Sequence, residues 1–85
     1  MNSNEIRTML LRVLAEIAPE ADLTTLRGDD DLRDRLDIDS MDFLNFAVAI
    51  DAELHVEIPE TEYEYLETLD QIVAYLAARQ PGVRI

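Results

Sequence analysis

The residues with most chemical potential stand together in Asp37-Ile38-Asp39-Ser40-Met41-Asp42, a hydroxyl set among carboxylates just ahead of a long apolar-periodic run. A hydroxyl residue at such a junction is expected to serve as a helix N-cap. A helix start also presents free backbone N–H groups and the positive end of the helix dipole, which favour an attached or bound anion. A phosphate ester on the Ser40 oxygen would therefore be well placed. Other chemistries fail on spacing. Counted from Asp37, a calcium loop would need glycine where Asp42 stands and a bidentate glutamate where Val48 stands. An EF-hand is thus rejected, and no metal site is expected beyond loose attraction of divalent ions to the acids. The single histidine, His55, lies about 20 Å along a helix from Ser40 at 1.5 Å per residue, too far to activate it. It reads as a solvated residue near the helix C-terminus, where partial positive charge is favourable. The only glycines, Gly28 and Gly82, make no phosphate loop, and the lack of cysteine excludes disulfides, thiolate metal sites and a cysteine nucleophile. No catalytic residues emerge, and a non-enzymatic role is expected.

The elements that must position Ser40 follow from the apolar spacing. From Ser40 to about Leu54, Phe43, Phe46, Ala47, Ile50 and Leu54 share one helical face and form a core stripe. Met41, Leu44 and Val48 form a second stripe, with Asp42, Asp51 and Glu53 between and beside the two. A helix packed on one side needs one stripe, so the second implies burial on two sides or a docking surface. Upstream, Ile6, Met9, Leu10, Val13, Leu14 and Ile17 predict an amphipathic helix over about 4–18, capped by Ser3 or Asn4 and stopped by Pro19. Residues 19–39 read as a long connection pinned by Leu23, Leu26, Leu32, Leu36 and Ile38, with a helical turn near 31–36. Connections of this length in compact domains are often functional. Downstream, Val56 to Pro59 is extended with Ile58 inward, and 60–66 form a short helix or turn with Tyr63 and Leu66 inward. Thr68 and Gln71 make a capping-box pattern opening a last helix with Leu69, Ile72, Val73 and Leu76 on its inner face. That helix ends near Arg79, before Pro81 and Gly82. The expected architecture is an all-α bundle, three main helices and one short one, in a single domain over 1–85.

Charge narrows the partners. The net charge is −12, and every basic residue is an arginine. Fifteen of the nineteen acids fall between Asp29 and Asp70, a span whose only cations are Arg33 and Arg35. Such a field repels nucleic acid and anionic membranes and steers the chain towards partners with basic patches. With 48% apolar residues the chain can still fold around a modest core. The apolar stretch Met9–Ile17 is interrupted by Arg12 and Glu16 and is too short to span a membrane. No segment reads as a signal peptide, and a cytoplasmic monomer is the expectation.

Leu36-Asp37-Ile38-Asp39-Ser40-Met41-Asp42, Ile50-Asp51-Ala52-Glu53-Leu54 and Glu57-Ile58-Pro59-Glu60 together resemble the acyl carrier protein family. The likeness continues through Thr68-Leu69 and Tyr75-Leu76 and covers nearly the whole chain. Its most specific element is Asp39-Ser40-Met41, similar to the family's Asp-Ser-Leu attachment motif. The resemblance implies a four-helix bundle with a long loop between helices 1 and 2 and 4′-phosphopantetheine on Ser40, installed by a phosphopantetheinyl transferase. The arm's thiol would hold acyl intermediates of fatty-acid or related biosynthesis as thioesters and deliver them to synthases and acyl-transferring enzymes. Asp39, Met41, Asp42, Leu44, Val48 and Asp51 would form the docking surface. Aminoacyl, peptidyl or polyketide cargo is the alternative within carrier chemistry, and an unmodified acidic interaction module the alternative outside it. Two departures stand out: Asp37 where the family commonly has glycine, and bulky Phe43 and Phe46 near the region that shelters an acyl chain in the family.

Overall fold

The computed structural model describes residues 2–79. Within them run four α-helices, α1 (Ser3–Ile17), α2 (Leu32–Leu36), α3 (Ser40–Leu54) and α4 (Leu69–Arg79), with 3-10 segments at Leu23–Thr25 and Glu60–Tyr65. This is the expected all-α bundle; Pro81 and Gly82, expected beyond the last helix, lie outside the described residues. The cap of α1 is Asn2 rather than Ser3 or Asn4. The reason is Glu5: its backbone N–H donates to Asn2 Oδ1 at 2.8 Å, and its carboxylate accepts from the Asn2 N–H at 2.8 Å. Counting from Ser3 or Asn4, the reciprocal position would fall on Ile6 or Arg7, neither of which accepts a hydrogen bond.

The core is built as the spacing predicts. Ile6, Met9, Leu10, Val13 and Leu14 of α1 are buried, with Phe43, Phe46, Ala47, Ile50 and Leu54 of α3 and Leu69, Ile72, Val73 and Leu76 of α4. α1 packs against both α3 and α4. Val56 and Ile58 of the extended stretch turn inward, Leu66 is buried and Tyr63 is half-buried. The capping box of α4 forms as written, the Gln71 N–H donating to Thr68 Oγ1 and the Thr68 N–H to Gln71 Oε1, each at 3.1 Å.

The long connection has more structure than one predicted turn. Asp22 opens the first 3-10 segment, accepting from both the hydroxyl and the N–H of Thr24. These two bonds hold its carboxyl below the ordinary value. Asp31 caps α2, whose Leu32 and Leu36 are buried one turn apart. The connection is then strapped to the start of α4: the Leu32 N–H donates to the Glu67 carbonyl at 2.8 Å and the Asp70 N–H to the Gly28 carbonyl at 3.0 Å. Gly28 fits this approach because it lacks a side chain. A Cβ there would stand 2.3 Å from Asp70 Oδ1, which Arg7 holds at 2.7 Å.

Candidate functional site

The loop ends and α3 begins in two steps. α2 terminates at Asp37, which adopts the left-handed conformation at φ 55° and ψ 44°. This turn is where a glycine would be free of steric cost. Aspartate tolerates it better than most residues, because its short polar side chain interacts locally. The backbone therefore makes the reversal that a glycine would make, with Asp37 exposed and Leu36 and Ile38 buried on either side.

Ser40 is not the cap of α3. Asp39 occupies that position in extended conformation, its Oδ1 accepting from the Asp42 N–H at 2.9 Å. The Asp42 carboxylate in turn accepts from the Asp39 N–H at 3.3 Å. A carboxylate at the cap and another three residues on satisfy two donors reciprocally and complement the dipole. Ser40 becomes the first helical residue, exposed, with its hydroxyl released from capping. The N–H groups of Ser40 and Met41 precede any intrahelical partner and have no acceptor among the described residues. An exposed alcohol beside two open amide donors fits a phosphodiester: the oxygen is available for the ester, and the donors face the charge it would bring.

The six residues expected to form a docking surface divide into two groups. At about 100° per residue, Met41, Leu44, Val48 and Asp51 fall within one quadrant of α3. Met41 and Val48 are 63% and 60% exposed, and Leu44 is half-buried. Asp51 is exposed and makes no ion pair among the described residues. Asp39 and Asp42 are instead tied to one another's backbone at the cap, and Asp42 is half-buried. Glu53, counted with the second stripe's acids, pairs with Arg12 and ties α3 to α1.

Two hollows flank the start of α3. A groove of about 520 Å³ runs past Ile17, Ala18, Leu36, Ile38 and Asp42. A second, of about 380 Å³, is bordered by Arg33, Glu60, Tyr63, Glu64 and Leu66. Between the second hollow and the core stands an aromatic group. Phe43 meets Phe46 edge-on with ring centres 5.8 Å apart, and Tyr63 edge-on at 5.0 Å. The Arg33 guanidinium covers the Phe43 ring at 4.8 Å. Burial, and then the charge of Glu60, raise the Tyr63 phenol above its ordinary value, so it stays neutral. The sequence gives no sign of the Arg33 contact, since α2 is too short for a readable period. Tyr65, within the predicted short helix or turn, joins Met41 and Val48 as a large apolar side chain left exposed among the described residues.

His55 sits at the far end of α3 as its C-cap, exposed and left-handed at φ 58°, with its N–H donating to the Asp51 carbonyl at 2.8 Å. No group of three or more His, Asp or Glu side chains is placed to hold a metal ion among the described residues. None of the described helices is long and apolar enough to cross a membrane.

Comparison with known proteins agrees with this geometry. The family profile described as "Phosphopantetheine attachment site" matches residues 4–76. The acyl carrier protein of Thermobifida fusca (strain YX) is 32% identical over 77 residues, which span 88% of this chain and 94% of that protein. That of Acidothermus cellulolyticus is 30% identical over 79 residues, 91% of this chain and 90% of that protein. A solution structure from Anaplasma phagocytophilum, provisionally assigned as an acyl carrier protein, superposes with a TM-score of 0.81 at 26% identity, over 92% of this chain and 91% of that one. A helical bundle of this kind with a phosphopantetheine attachment region defines a carrier protein, and the chain belongs to the acyl carrier protein family. Its cofactor is phosphopantetheine and its role is that of a carrier. The family implies interaction with a phosphopantetheinyl transferase and with acyl-handling enzymes.

Proposed function

We propose that the chain works as one carrier domain whose Ser40 oxygen forms the phosphodiester to 4′-phosphopantetheine. The bond broken lies in coenzyme A, between the phosphate of the phosphopantetheine moiety and the rest of the nucleotide. The hydroxyl proton leaves with the displaced group. The observation that carries this reading is the exposed Ser40 hydroxyl at the first position of α3, released from capping by the Asp39–Asp42 box. The arm supplies the thiol that this cysteine-free chain lacks, and holds acyl intermediates of fatty-acid or related biosynthesis as thioesters. The protein itself catalyses nothing. Tethering raises the effective concentration of cargo at each partner enzyme.

Partners with basic patches dock on Met41, Leu44, Val48 and Asp51, while Asp39 and Asp42 contribute field more than contact because their carboxylates are engaged at the cap. Two exposed apolar side chains beside an acid that makes no ion pair among the described residues support this surface. Charge-steered contact of this kind accelerates encounter and still allows release, as a shuttle requires. A monomer in the cytoplasm, binding neither nucleic acid nor membrane, fits the −12 charge.

Intact mass spectrometry after incubation with coenzyme A and a broad-specificity phosphopantetheinyl transferase tests the assignment. One phosphopantetheine is expected on the wild-type chain and none on Ser40→Ala, whose circular dichroism should be unchanged. Modification of Ser40→Ala would overturn the attachment site.

A further inference from the structure

Resting on the carrier reading, we propose that Phe43 is a specificity-determining residue that keeps cargo out of the bundle interior, so that this carrier serves short or polar acyl groups whose thioester stays exposed. Phe43 is the first inward side chain after Ser40, less than one turn along α3. Cargo that turns inward along the Phe43 face of α3 meets this ring first. The ring is locked on several sides: Phe46 and Tyr63 meet it edge-on, and Arg33 lies over its face. Phe43 is only 3% exposed and Phe46 fully buried, so the space behind the ring is already filled with side chain.

Neither hollow offers an alkyl chain much: the charged Glu20, Asp22, Arg35, Asp37 and Asp42 line the groove past Ile17 and Ile38, and the hollow outside this aromatic group is no better. Asp31, Arg33, Glu60, Glu64 and Glu67 border it, with Tyr63 and Leu66 as the apolar part. Lodging a long alkyl chain there would strip water from charged groups without replacing their hydrogen bonds. Entry to the core would instead require Phe43 to swing out, losing two aromatic contacts and its cation cover together. Short or polar cargo has little to gain from either move.

Chain length supplies the test. Wild-type protein is loaded with acetyl- and octanoyl-phosphopantetheine, each confirmed by mass, and melting temperatures and backbone amide spectra are compared with the unacylated, phosphopantetheine-bearing form. The three wild-type forms are expected to melt within about 1 °C of one another, with spectral changes confined to residues flanking Ser40. In Phe43→Ala, and in the milder Phe43→Leu should the first variant fail to fold, octanoyl loading is expected to raise the melting temperature by about 5 °C or more as the chain fills the vacated space. Amides of Phe46, Ile50 and Leu66 should shift with it. An octanoyl-dependent rise in the wild type, with shifts at those core amides, would overturn the proposal while leaving the carrier role intact. Failure to load at Ser40 would instead strike the carrier assignment on which it rests.

Discussion

α1 and α3 are both fifteen residues long, and each buries five apolar side chains in the same core. What they do with the remainder differs. α1 has spent its large apolar residues on the interior, apart from the half-buried Leu11 and Ile17 that pack against the core. α3 carries Met41 and Val48 out in solvent and Leu44 at the margin. Folding explains all of α1 and only half of α3. The apolar side chains that a helix does not need for its own packing are the ones available to another protein, and here they share a quadrant with the exposed carboxylate of Asp51.

That contrast can be broken by substitution. Phe46→Ala on the buried face of α3 and Leu10→Ala on α1 should each lower unfolding free energy by about 2–5 kcal/mol in urea titrations. Val48→Ala, on the same helix as Phe46, should change it by no more than about 0.5 kcal/mol while weakening a partner enzyme's binding. A large loss of stability at Val48 would mean that the outer stripe serves packing, and the distinction between the helices would collapse. Asp39→Ala should cost about 0.5–2 kcal/mol through loss of the cap, yet leave Ser40 chemically competent for loading in a mass assay. The smallest effect lies just upstream. Asp37→Gly should stabilise the fold by up to about 1 kcal/mol, the relief of a left-handed backbone being partly offset by glycine's greater freedom when unfolded.

These residues also show what was legible beforehand. The buried faces of α1, α3 and α4 could be read directly, because burial of a periodic stripe is a property of side chains in sequence. The Thr68–Gln71 box was legible because a hydroxyl and an amide stand three residues apart just ahead of an apolar-periodic run. Caps proved harder by one residue. Asn2 wins over Ser3 and Asn4, and Asp39 over Ser40, because acids at Glu5 and Asp42 complete the reciprocal bonds, a relation between two positions rather than a preference at one. For Ser40 the correction matters to function: as the cap its hydroxyl would be engaged, and as the first helical residue it is available. The family's glycine was missing at Asp37, but the conformation that a glycine would serve is present. The 3-10 segment at Leu23–Thr25, the cover of Phe43 by Arg33 and the approach of Gly28 to Asp70 left no trace in any period. They rest on a few residues each, or on main-chain groups that every residue possesses.

The hydrogen bond from Leu32 to Glu67 turns the chain between them into a closed ring containing α2, α3 and the second 3-10 segment. Closing a ring of that size costs loop entropy that the few bonds at the junction must offset together with the buried side chains inside it. Once it is closed, the segments before and after α3 are fixed to one another by main-chain bonds that do not depend on side-chain identity. The junction thus holds both ends of the segment that carries α3 to one place on the bundle, beside the start of α4.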